Sequence, residues 1–284
     1  MSLLLRGAPA AAAINEKTAQ TVRGLRAQGI VPALAVVRVG EREDDLAYER
    51  NARKRCAALG METRSVVLPE SASESELENA LLALGADESV DGILPLRPFP
   101  APMDEERLLR AVPPEKDVDG VTAASLAAVY AGTDGGFAPC TAQAVLELLD
   151  HYQISVEGKR AAVLGRSLTV GRPAAMLLLR RGATVTLCHS KTPDAAAIAR
   201  EADLLVVCTG RRESAGTAYF RAGQTVVDVG IHCDPNTGAL CGDVVFAEAE
   251  NLVSALTPVP GGVGALTTAV LAQHTAIAAQ RRRK

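Results

Sequence analysis

The chain of 284 residues carries a formal net charge of −3 at pH 7, so its overall charge gives no reason to expect a nucleic acid or an anionic membrane as a partner. Apolar residues make up 48% of the chain but aromatic residues only 3%, which excludes the aromatic stacking surface that single-stranded nucleic-acid binders use. No apolar run approaches the roughly 20 residues of a membrane-spanning helix. We therefore expect no nucleic-acid partner and no membrane partner. The chain is long enough for one large or two modest domains.

The six cysteines are scattered and include no Cys-x-x-Cys pair, and the N-terminal residues do not resemble a signal peptide. This pattern predicts reduced thiols and a cytoplasmic location. Three residues of metal-ligand types lie close together in the sequence: His232, Cys233 and Cys241. Their spacing fits no zinc template. We interpret the segment as a loop and predict no metal.

The first half of the chain alternates between helical and strand-like patterns. Apolar periodicity and the glycine and proline residues between apolar runs predict helix 8–29, strand 33–39, helix 46–59, strand 63–68, helix 73–84 and strand 91–94. Such alternation is typical of an α/β domain whose sheet is mostly parallel and has helices on its faces.

Two proline-rich loops follow this pattern, at residues 95–102 and 113–120. Neither can form a helix or a central strand, because proline lacks the backbone donor and fixes φ. A loop that follows a parallel strand lies at the carboxyl edge of the sheet, where α/β proteins bind ligands. A helix at 142–152 is expected to lead into a second domain.

The second half of the chain predicts another α/β unit with strands at 160–164, 184–188, 204–208 and 225–229. The final helix, 265–281, is apolar enough to pack back on the first domain. We therefore expect one domain at residues 1–138 plus 266–284 and a second domain at residues 139–265.

The segment Ala161–Pro173 reads as a short strand, a glycine turn and the start of a helix, with no linker residues between them. Gly165 and Gly171 bracket the turn, where backbone amides and the helix dipole favour a phosphate. The strand that follows ends at Cys188 with no acidic residue to bind a ribose 2′-hydroxyl. Arg166, Ser190 and Lys191 instead suit a 2′-phosphate and favour NADP over NAD; the alternative is that both cations are ordinary solvated charges.

Beyond this turn the chain resembles the FolD-type methylenetetrahydrofolate dehydrogenase/cyclohydrolase family over nearly its whole length. The resemblance rests on an ordered set of motifs: Val39-Gly40, Asp91-Gly92-Ile93-Leu94, Lys116-Asp117-Val118-Asp119-Gly120, Pro139-Cys140-Thr141, Gly165-Arg166-Ser167, Val170-Gly171-Arg172-Pro173, Asp228-Val229-Gly230-Ile231, Gly242-Asp243-Val244 and Thr257 to Gly264.

The resemblance implies an N-terminal folate-binding catalytic domain, a Rossmann-like NADP-binding domain, a cleft between them and a homodimer. It implies oxidation of 5,10-methylenetetrahydrofolate with NADP, followed by hydrolysis of the methenyl product. Tyr48 and Asp119 would be catalytic, and the substrate-binding residues would be Tyr48, Leu96, Asp119, Pro260, Gly261 and Gly262. The cofactor-binding residues would be Thr141, Gly165, Arg166, Ser167, Val170, Gly171, His189, Ser190, Lys191, Thr209, Gly210, Gly230 and Ile231.

The run Thr257–Gly264 holds two prolines and three glycines in eight residues. Such a rigid, side-chain-poor backbone suits close contact with a flat ligand, which hydride transfer between two rings requires. The alternative is a tight turn that only joins a strand to a helix.

Two positions depart from the family pattern. A helical Tyr-x-x-x-Lys motif has alanine at the lysine position, Ala52, and the glutamine that holds this lysine is replaced by Leu96. This apolar pair cannot transfer a proton, so we expect hydrolysis to be weak or absent. Arg55 and Arg97 are candidate replacement charges. Alternatively, both arginines are solvated or paired with nearby acids, namely Glu41, Glu43, Asp44 or Asp45.

Further departures are Asp45 for serine, Ala142 and Ala265 for proline, and His232 for asparagine. Two other functions therefore stay open. One is an NADP-dependent oxidoreductase that acts on a non-folate substrate, and the other is a non-catalytic NADP- or folate-binding paralogue.

Overall fold

The computed structural model describes residues 2–234 and 238–283. The strands are β1 (Leu3–Leu4), β2 (Ala33–Val39), β3 (Glu62–Leu68), β4 (Gly92–Pro95), β5 (Arg160–Leu164), β6 (Thr184–Cys188), β7 (Leu204–Val207), β8 (Thr225–Asp228), β9 (His232–Cys233), β10 (Leu240–Cys241) and β11 (Ala255–Leu256).

The helices are α1 (Gly7–Arg26), α2 (Glu43–Ala58), α3 (Glu74–Ala86), α4 (Glu105–Leu109), α5 (Ala123–Ala131), α6 (Cys140–His151), α7 (Gly171–Arg180), α8 (Ala195–Glu201), α9 (Phe246–Ala249) and α10 (Thr267–Arg282). Among the described residues, no helix has the length and apolar character needed to cross a membrane.

The chain divides into two compact units. The three-stranded unit contains residues 14–140 and the segment from Thr268 onward, and the six-stranded unit contains the residues up to Ala13 and Thr141–Thr267. The fold class is therefore the predicted one, two α/β units with mostly parallel sheets.

The three-stranded unit is built on a parallel sheet in the order β3-β2-β4. The central strand β2 is an unbroken apolar run except for Arg38, and six of its seven residues are buried. Leu77 and Leu81 of α3 and Ile93 of β4 pack with it in one apolar core. Burial on both faces explains why β2 shows no apolar–polar alternation in the sequence.

Several predicted boundaries shift for local reasons. Helix α2 begins at Glu43, three residues earlier than expected, and its first turn carries Glu43, Asp44 and Asp45, whose charges favour the helix N-terminus. Helix α3 begins after Ser73, which forms a capping box with Glu76.

Helix α10 packs within the three-stranded unit, as predicted. Ala269, Val270 and Leu271 are buried, as are residues further along its length. Arg282 and Arg283 both contact the buried carboxylate of Asp91, at 3.3 and 2.8 Å. The basic residues Arg282 and Arg283 at the end of α10 are therefore engaged in the fold rather than simply solvated.

The six-stranded unit is a parallel sheet in the order β1-β11-β8-β7-β5-β6. The positions of β5 to β8 agree with the predicted strands to within one residue. Strand β1 pairs with β11, Leu3 against Ala255 and Leu4 against Leu256. This pairing places the first residues with the second sheet, whereas the sequence suggested the first domain. Two-residue strands are too short to show a pattern before their partner is known.

Lys116 closes the end of α3 in the three-stranded unit. Its side chain is buried, and Nζ donates hydrogen bonds to the carbonyl oxygens of Leu84, Gly85 and Asp87 at 3.1, 2.7 and 2.7 Å. These carbonyls belong to the last turn of the helix and the residue that follows it, where intrahelical donors run out. Lys116 therefore satisfies backbone acceptors that no helix amide reaches.

Replacing Lys116 with methionine is expected to lower the free energy of unfolding by about 1 to 3 kcal/mol, because the carbonyl oxygens of Leu84 and Gly85 lose their Nζ donor while the apolar volume is kept. Urea denaturation followed by circular dichroism measures the change. The matched control is Lys17→Met at an exposed position on α1, for which we expect a change within about 0.5 kcal/mol. Equal stability of the two variants contradicts this role of Lys116.

Candidate active site

The nucleotide turn lies between β5 and α7, as predicted. Gly165 has φ +129°, and a side chain added to it would overlap the carbonyl oxygen of Cys208 at the end of β7. A side chain added to Gly171 would overlap the carbonyl oxygen of Gly165. Both positions therefore require glycine, because the backbone of the turn is in direct contact with itself and with the neighbouring strand.

Ser167 shapes the start of α7 from within this turn. Its Oγ accepts hydrogen bonds from the amides of Val170 and Gly171 at 3.2 and 3.4 Å. Within the described part of the chain, the amides of residues 166–169 have no hydrogen-bond acceptor. Unpaired amides at the start of a helix form a binding site for an anion.

A cavity of about 610 Å³ adjoins the turn in the six-stranded unit. Five predicted cofactor-binding residues line it: Gly165, Arg166, His189, Ser190 and Thr209. Its other lining residues were not singled out from the sequence: Leu164, Cys188, Thr192, Asp194, Ala195, Ala196, Arg211, Ser214 and Tyr219.

The remaining predicted cofactor-binding residues lie outside the lining of this cavity. Ser167, Val170 and Gly171 belong to the turn, and Lys191 is exposed on the loop after β6. Gly210 follows the lining residue Thr209, Gly230 and Ile231 follow β8, and Thr141 lies on α6. The cavity lining also contains a second arginine, Arg211.

A pair of buried carboxylates organises the loops after β7 and β8. Asp228 accepts hydrogen bonds from the amides of Gly230, Asp243 and Val244 at 2.9, 3.0 and 2.9 Å. Burial nevertheless raises the pKa of Asp228 to about 6, since desolvation outweighs these bonds. Asp243 accepts from the amide of Gly210 at 3.0 Å. The two carboxylates thus hold Gly210 and Gly230 in place.

His232 contacts one member of this pair. Its Nε2 lies 2.7 Å from Asp243 Oδ1. The preceding residue, Ile231, is 61% exposed. Across the described residues, no group of three or more histidine, cysteine, aspartate or glutamate side chains could hold a metal ion.

The proline–glycine loop of the six-stranded unit has an open and a packed side. Gly261 has φ +100° and nothing within 4 Å of an added side chain, and Pro260 is exposed. Gly262 is buried, and a side chain there would lie 2.5 Å from the carbonyl oxygen of Pro258. The carbonyl of Gly261 also accepts from the amide of Gly7 at 2.8 Å. One side of the loop is therefore packed against the rest of the unit, and its tip at Pro260 and Gly261 is exposed.

In the three-stranded unit, the two positions that we predict to depart from the family pattern are buried and apolar. Ala52 is 1% exposed and Leu96 is 6% exposed, whereas Tyr48 is half-buried on the same helix as Ala52. One residue after Tyr48, Glu49 is buried and paired with Arg38 at 2.9 Å. No proton-transferring group therefore stands at position 52 or 96.

Arg55 and Arg97, the candidate positive charges in place of the family lysine, each contact another polar side chain. Arg97 Nη1 lies 2.6 Å from Glu105 Oε1, and Arg55 Nη2 lies 3.5 Å from Thr268 Oγ1. Asp45, one of the acids suggested as a partner, instead binds Arg42 through two hydrogen bonds of 2.8 Å. The acid paired with Arg97 is therefore one that the sequence did not indicate.

Asp119 lies beside a buried group of polar side chains. Desolvation and the negative charge of Asp117 raise the pKa of Asp119 to about 7, against opposing effects of Arg97 and Cys140. The Cys140 thiol donates to the carbonyl oxygen of Val118 at 3.3 Å. His274 lies 2.9 Å from the same oxygen through Nδ1, and burial lowers the pKa of His274 to about 4. Its ring is therefore neutral at physiological pH.

The comparisons with known proteins cover both units. A family model for the tetrahydrofolate dehydrogenase/cyclohydrolase catalytic domain matches residues 5–119, and a model for the NAD(P)-binding domain of the same family matches residues 139–283. The match to the second model confirms the predicted dinucleotide-binding domain.

Curated relatives match along their full lengths. "Bifunctional protein FolD" of Carboxydothermus hydrogenoformans is 48% identical, with 97% of this chain and 96% of the relative covered. The protein of the same name from Clostridium kluyveri is 44% identical over 100% of both chains.

Two solved structures are also similar to this chain over nearly its whole length. The bifunctional FolD dehydrogenase/cyclohydrolase of Campylobacter jejuni has a TM-score of 0.96 and 37% identity, covering 99% of this chain and 100% of the other. The Trypanosoma brucei enzyme, solved with NADP and an inhibitor, has a TM-score of 0.93 and 34% identity, covering 100% and 99%. The chain therefore belongs to the tetrahydrofolate dehydrogenase/cyclohydrolase family.

Proposed function

We propose that the chain oxidises 5,10-methylenetetrahydrofolate to 5,10-methenyltetrahydrofolate, with NADP as hydride acceptor. The observation that carries this proposal is the nucleotide turn with its adjoining cavity, in a chain that has both domains of the family. The turn needs glycine at positions 165 and 171, and the cavity presents Arg166, His189 and Ser190. The relatives named above are bifunctional enzymes of this class, and one of them was solved with NADP.

The residues of the six-stranded unit fit NADP chemically. The amides of residues 166–169 suit the pyrophosphate, and Arg166 and Ser190 suit a 2′-phosphate. Asp194 is the one carboxylate in the cavity lining, and its Oδ1 already accepts from the amide of Ala197 at 3.2 Å.

The reaction requires that the substrate and cofactor rings be positioned, and it does not require a strong acid or base. When bound, NADP supplies the hydride acceptor, so the substrate loses a hydride from its methylene carbon and becomes the methenyl cation. The chain must hold two rings face to face and exclude water. Ile231 would bind the nicotinamide carboxamide through its backbone, and the bare tip at Pro260 and Gly261 would contact the folate ring.

On the folate side, Asp119 would accept hydrogen bonds from the pterin and Tyr48 would stack on the folate. Ionised Asp119 is an acceptor only, which matches the N–H donors of a pterin edge. A pKa near 7 makes this acceptor sensitive to pH in the physiological range.

We further propose that the hydrolysis of methenyltetrahydrofolate is weak or absent in this chain, although its relatives are named as bifunctional. The family lysine and glutamine positions are Ala52 and Leu96, and both side chains are buried. Arginine stays protonated and is a poor base, so neither Arg55 nor Arg97 replaces the proton transfer.

The homodimer, the absence of a nucleic-acid partner and the cytoplasmic location stay predictions.

The direct test of the dehydrogenase proposal is NADPH formation from methylenetetrahydrofolate, with NADP and NAD assayed in parallel. We expect turnover with NADP and at least a tenfold lower kcat/KM with NAD. Calorimetry with NADP and tetrahydrofolate separates the alternatives. Binding of both without turnover indicates a non-catalytic paralogue, and no folate binding indicates a different substrate.

The pKa of Asp119 predicts a pH dependence of the KM for methylenetetrahydrofolate. Because the pKa is raised to about 7, the carboxylate is mostly protonated at pH 6 and mostly ionised at pH 8. We expect the KM to be about tenfold higher at pH 6 than at pH 8, since the acceptor is lost as the pH falls. Asp119→Asn should flatten this profile, and Asp134→Asn, at an exposed position in the same unit, should leave it unchanged.

The hydrolysis proposal is tested with methenyltetrahydrofolate, whose near-UV absorbance disappears on hydrolysis. We expect the purified chain to give the buffer rate, and Ala52→Lys combined with Leu96→Gln to raise the rate at least tenfold. Ala58→Lys on the exposed side of α2 is the control for added charge and should have no effect. Rapid hydrolysis by the unmodified chain overturns the proposal.

A further inference from the structure

We propose that Arg211 is a specificity-determining residue that binds the 2′-phosphate of NADP, in the role that the sequence suggested for Lys191. The inference rests on the proposed use of NADP and names a residue that neither the glycine turn nor the strand-end pattern indicates.

The first observation is the position of Arg211. It lines the same cavity as His189, Ser190 and Thr192, at the end of β6. In a doubly wound sheet this strand end is where the adenosine ribose and its 2′ substituent lie. The turn residues 167–171, where a pyrophosphate is held, are not part of the lining. The cavity therefore corresponds to the adenosine end of the dinucleotide, and Arg211 faces that end from the loop after β7.

The second observation is the way the backbone presents this side chain. Thr209 Oγ1 accepts from the amide of Arg211 at 3.2 Å and lies 2.7 Å from Ser214 Oγ. The neighbouring amide of Gly210 donates to the buried carboxylate of Asp243 at 3.0 Å. The backbone is thus fixed on both sides of Arg211, so binding of an anion orders the arginine side chain but not the loop.

The third observation is the difference between Arg211 and its neighbour Arg212. Arg212 lies 2.7 Å from Asp234 and 3.3 Å from Glu213, so its charge is compensated. Within the described residues, neither Arg211 nor Arg166 forms an ion pair with a carboxylate. The cavity lining thus holds two arginines without a paired carboxylate against one carboxylate, Asp194, and this excess of positive charge attracts an anion. Guanidinium binds phosphate through paired hydrogen bonds.

Lys191 differs from Arg211 in its position relative to the cavity. Both residues are exposed, but Lys191 is not part of the cavity lining, and its amide donates to His189 Nδ1 at 3.2 Å. The strand-end position that the sequence pattern indicates is therefore occupied by a residue whose backbone shapes the loop. The cation is supplied from the loop after β7, on the opposite side of β5.

The test measures binding of 2′,5′-ADP and of 5′-ADP to the full chain by calorimetry. We expect Arg211→Gln to weaken 2′,5′-ADP binding at least tenfold and to change 5′-ADP binding less than twofold, because only the first nucleotide carries the 2′-phosphate. Arg211→Lys, which keeps the charge but loses the paired hydrogen bonds, should fall between the wild type and Arg211→Gln. Arg212→Gln and Lys191→Gln are the matched controls, each expected to stay within about threefold.

Equal weakening of both nucleotides by Arg211→Gln contradicts the assignment, because it indicates stacking on the adenine or a change in the loop. A larger effect of Lys191→Gln than of Arg211→Gln also overturns it. Equal binding of the two nucleotides by the wild type contradicts the proposed preference for NADP and the assignment with it. A wild-type preference that survives Arg211→Gln contradicts the assignment alone. None of these measurements requires folate or turnover.

Discussion

Close backbone contact between the ends of β5 and β7 is the constraint on which the nucleotide site depends. Gly165 meets the carbonyl of Cys208, and Gly171 meets the carbonyl of Gly165. Because these segments touch without intervening side chains, α7 begins directly at the edge of the sheet. The unpaired amides at its start and the loop that carries Arg211 consequently belong to one connected surface.

Buried carboxylates maintain the neighbouring loops by accepting backbone amides. Asp228 and Asp243 together receive amides from the loops after β7, β8 and β10. Asp117 has the same function in the three-stranded unit, where it accepts from Val121 and Thr122 at 3.1 and 2.8 Å. Each carboxylate replaces hydrogen bonds that a regular strand or helix would provide. Loops in both units are thus held by buried carboxylates.

The sequence predicted those parts of the fold that rest on local patterns. Strands β2 and β5 are apolar runs bounded by glycine, and their ends agree with the structure to the residue. Strands β1 and β11 could not be predicted, since each has two residues and forms only through its partner. The short helix α8 begins after Asp194, an N-cap residue with positive φ, and carries too few residues for a periodic pattern.

The candidate site was likewise predictable only where its residues belong to local sequence patterns. Gly165, Arg166 and Ser190 follow from motif position, whereas Arg211 enters the cavity from a loop whose path depends on Thr209 and Asp243. Burial of Ala52 and Leu96 agrees with their apolar character, but the ion pair of Arg97 with Glu105 depends on the path of the proline loop.

The division of the chain into interleaved segments has a consequence for biosynthesis. The six-stranded unit receives its last strand, β11, before α10 is translated, so all of its sheet can form on the ribosome. Most of the three-stranded unit, residues 14–140, is translated before β5 to β11 of the six-stranded unit, but the unit also includes α10, with buried Ala269 and Val270 and the arginines that contact Asp91. Its core therefore remains incomplete until translation has passed the other unit. The unit that is mostly made earlier is thus the later to mature, and the apolar face of its nascent sheet stays uncovered in that interval.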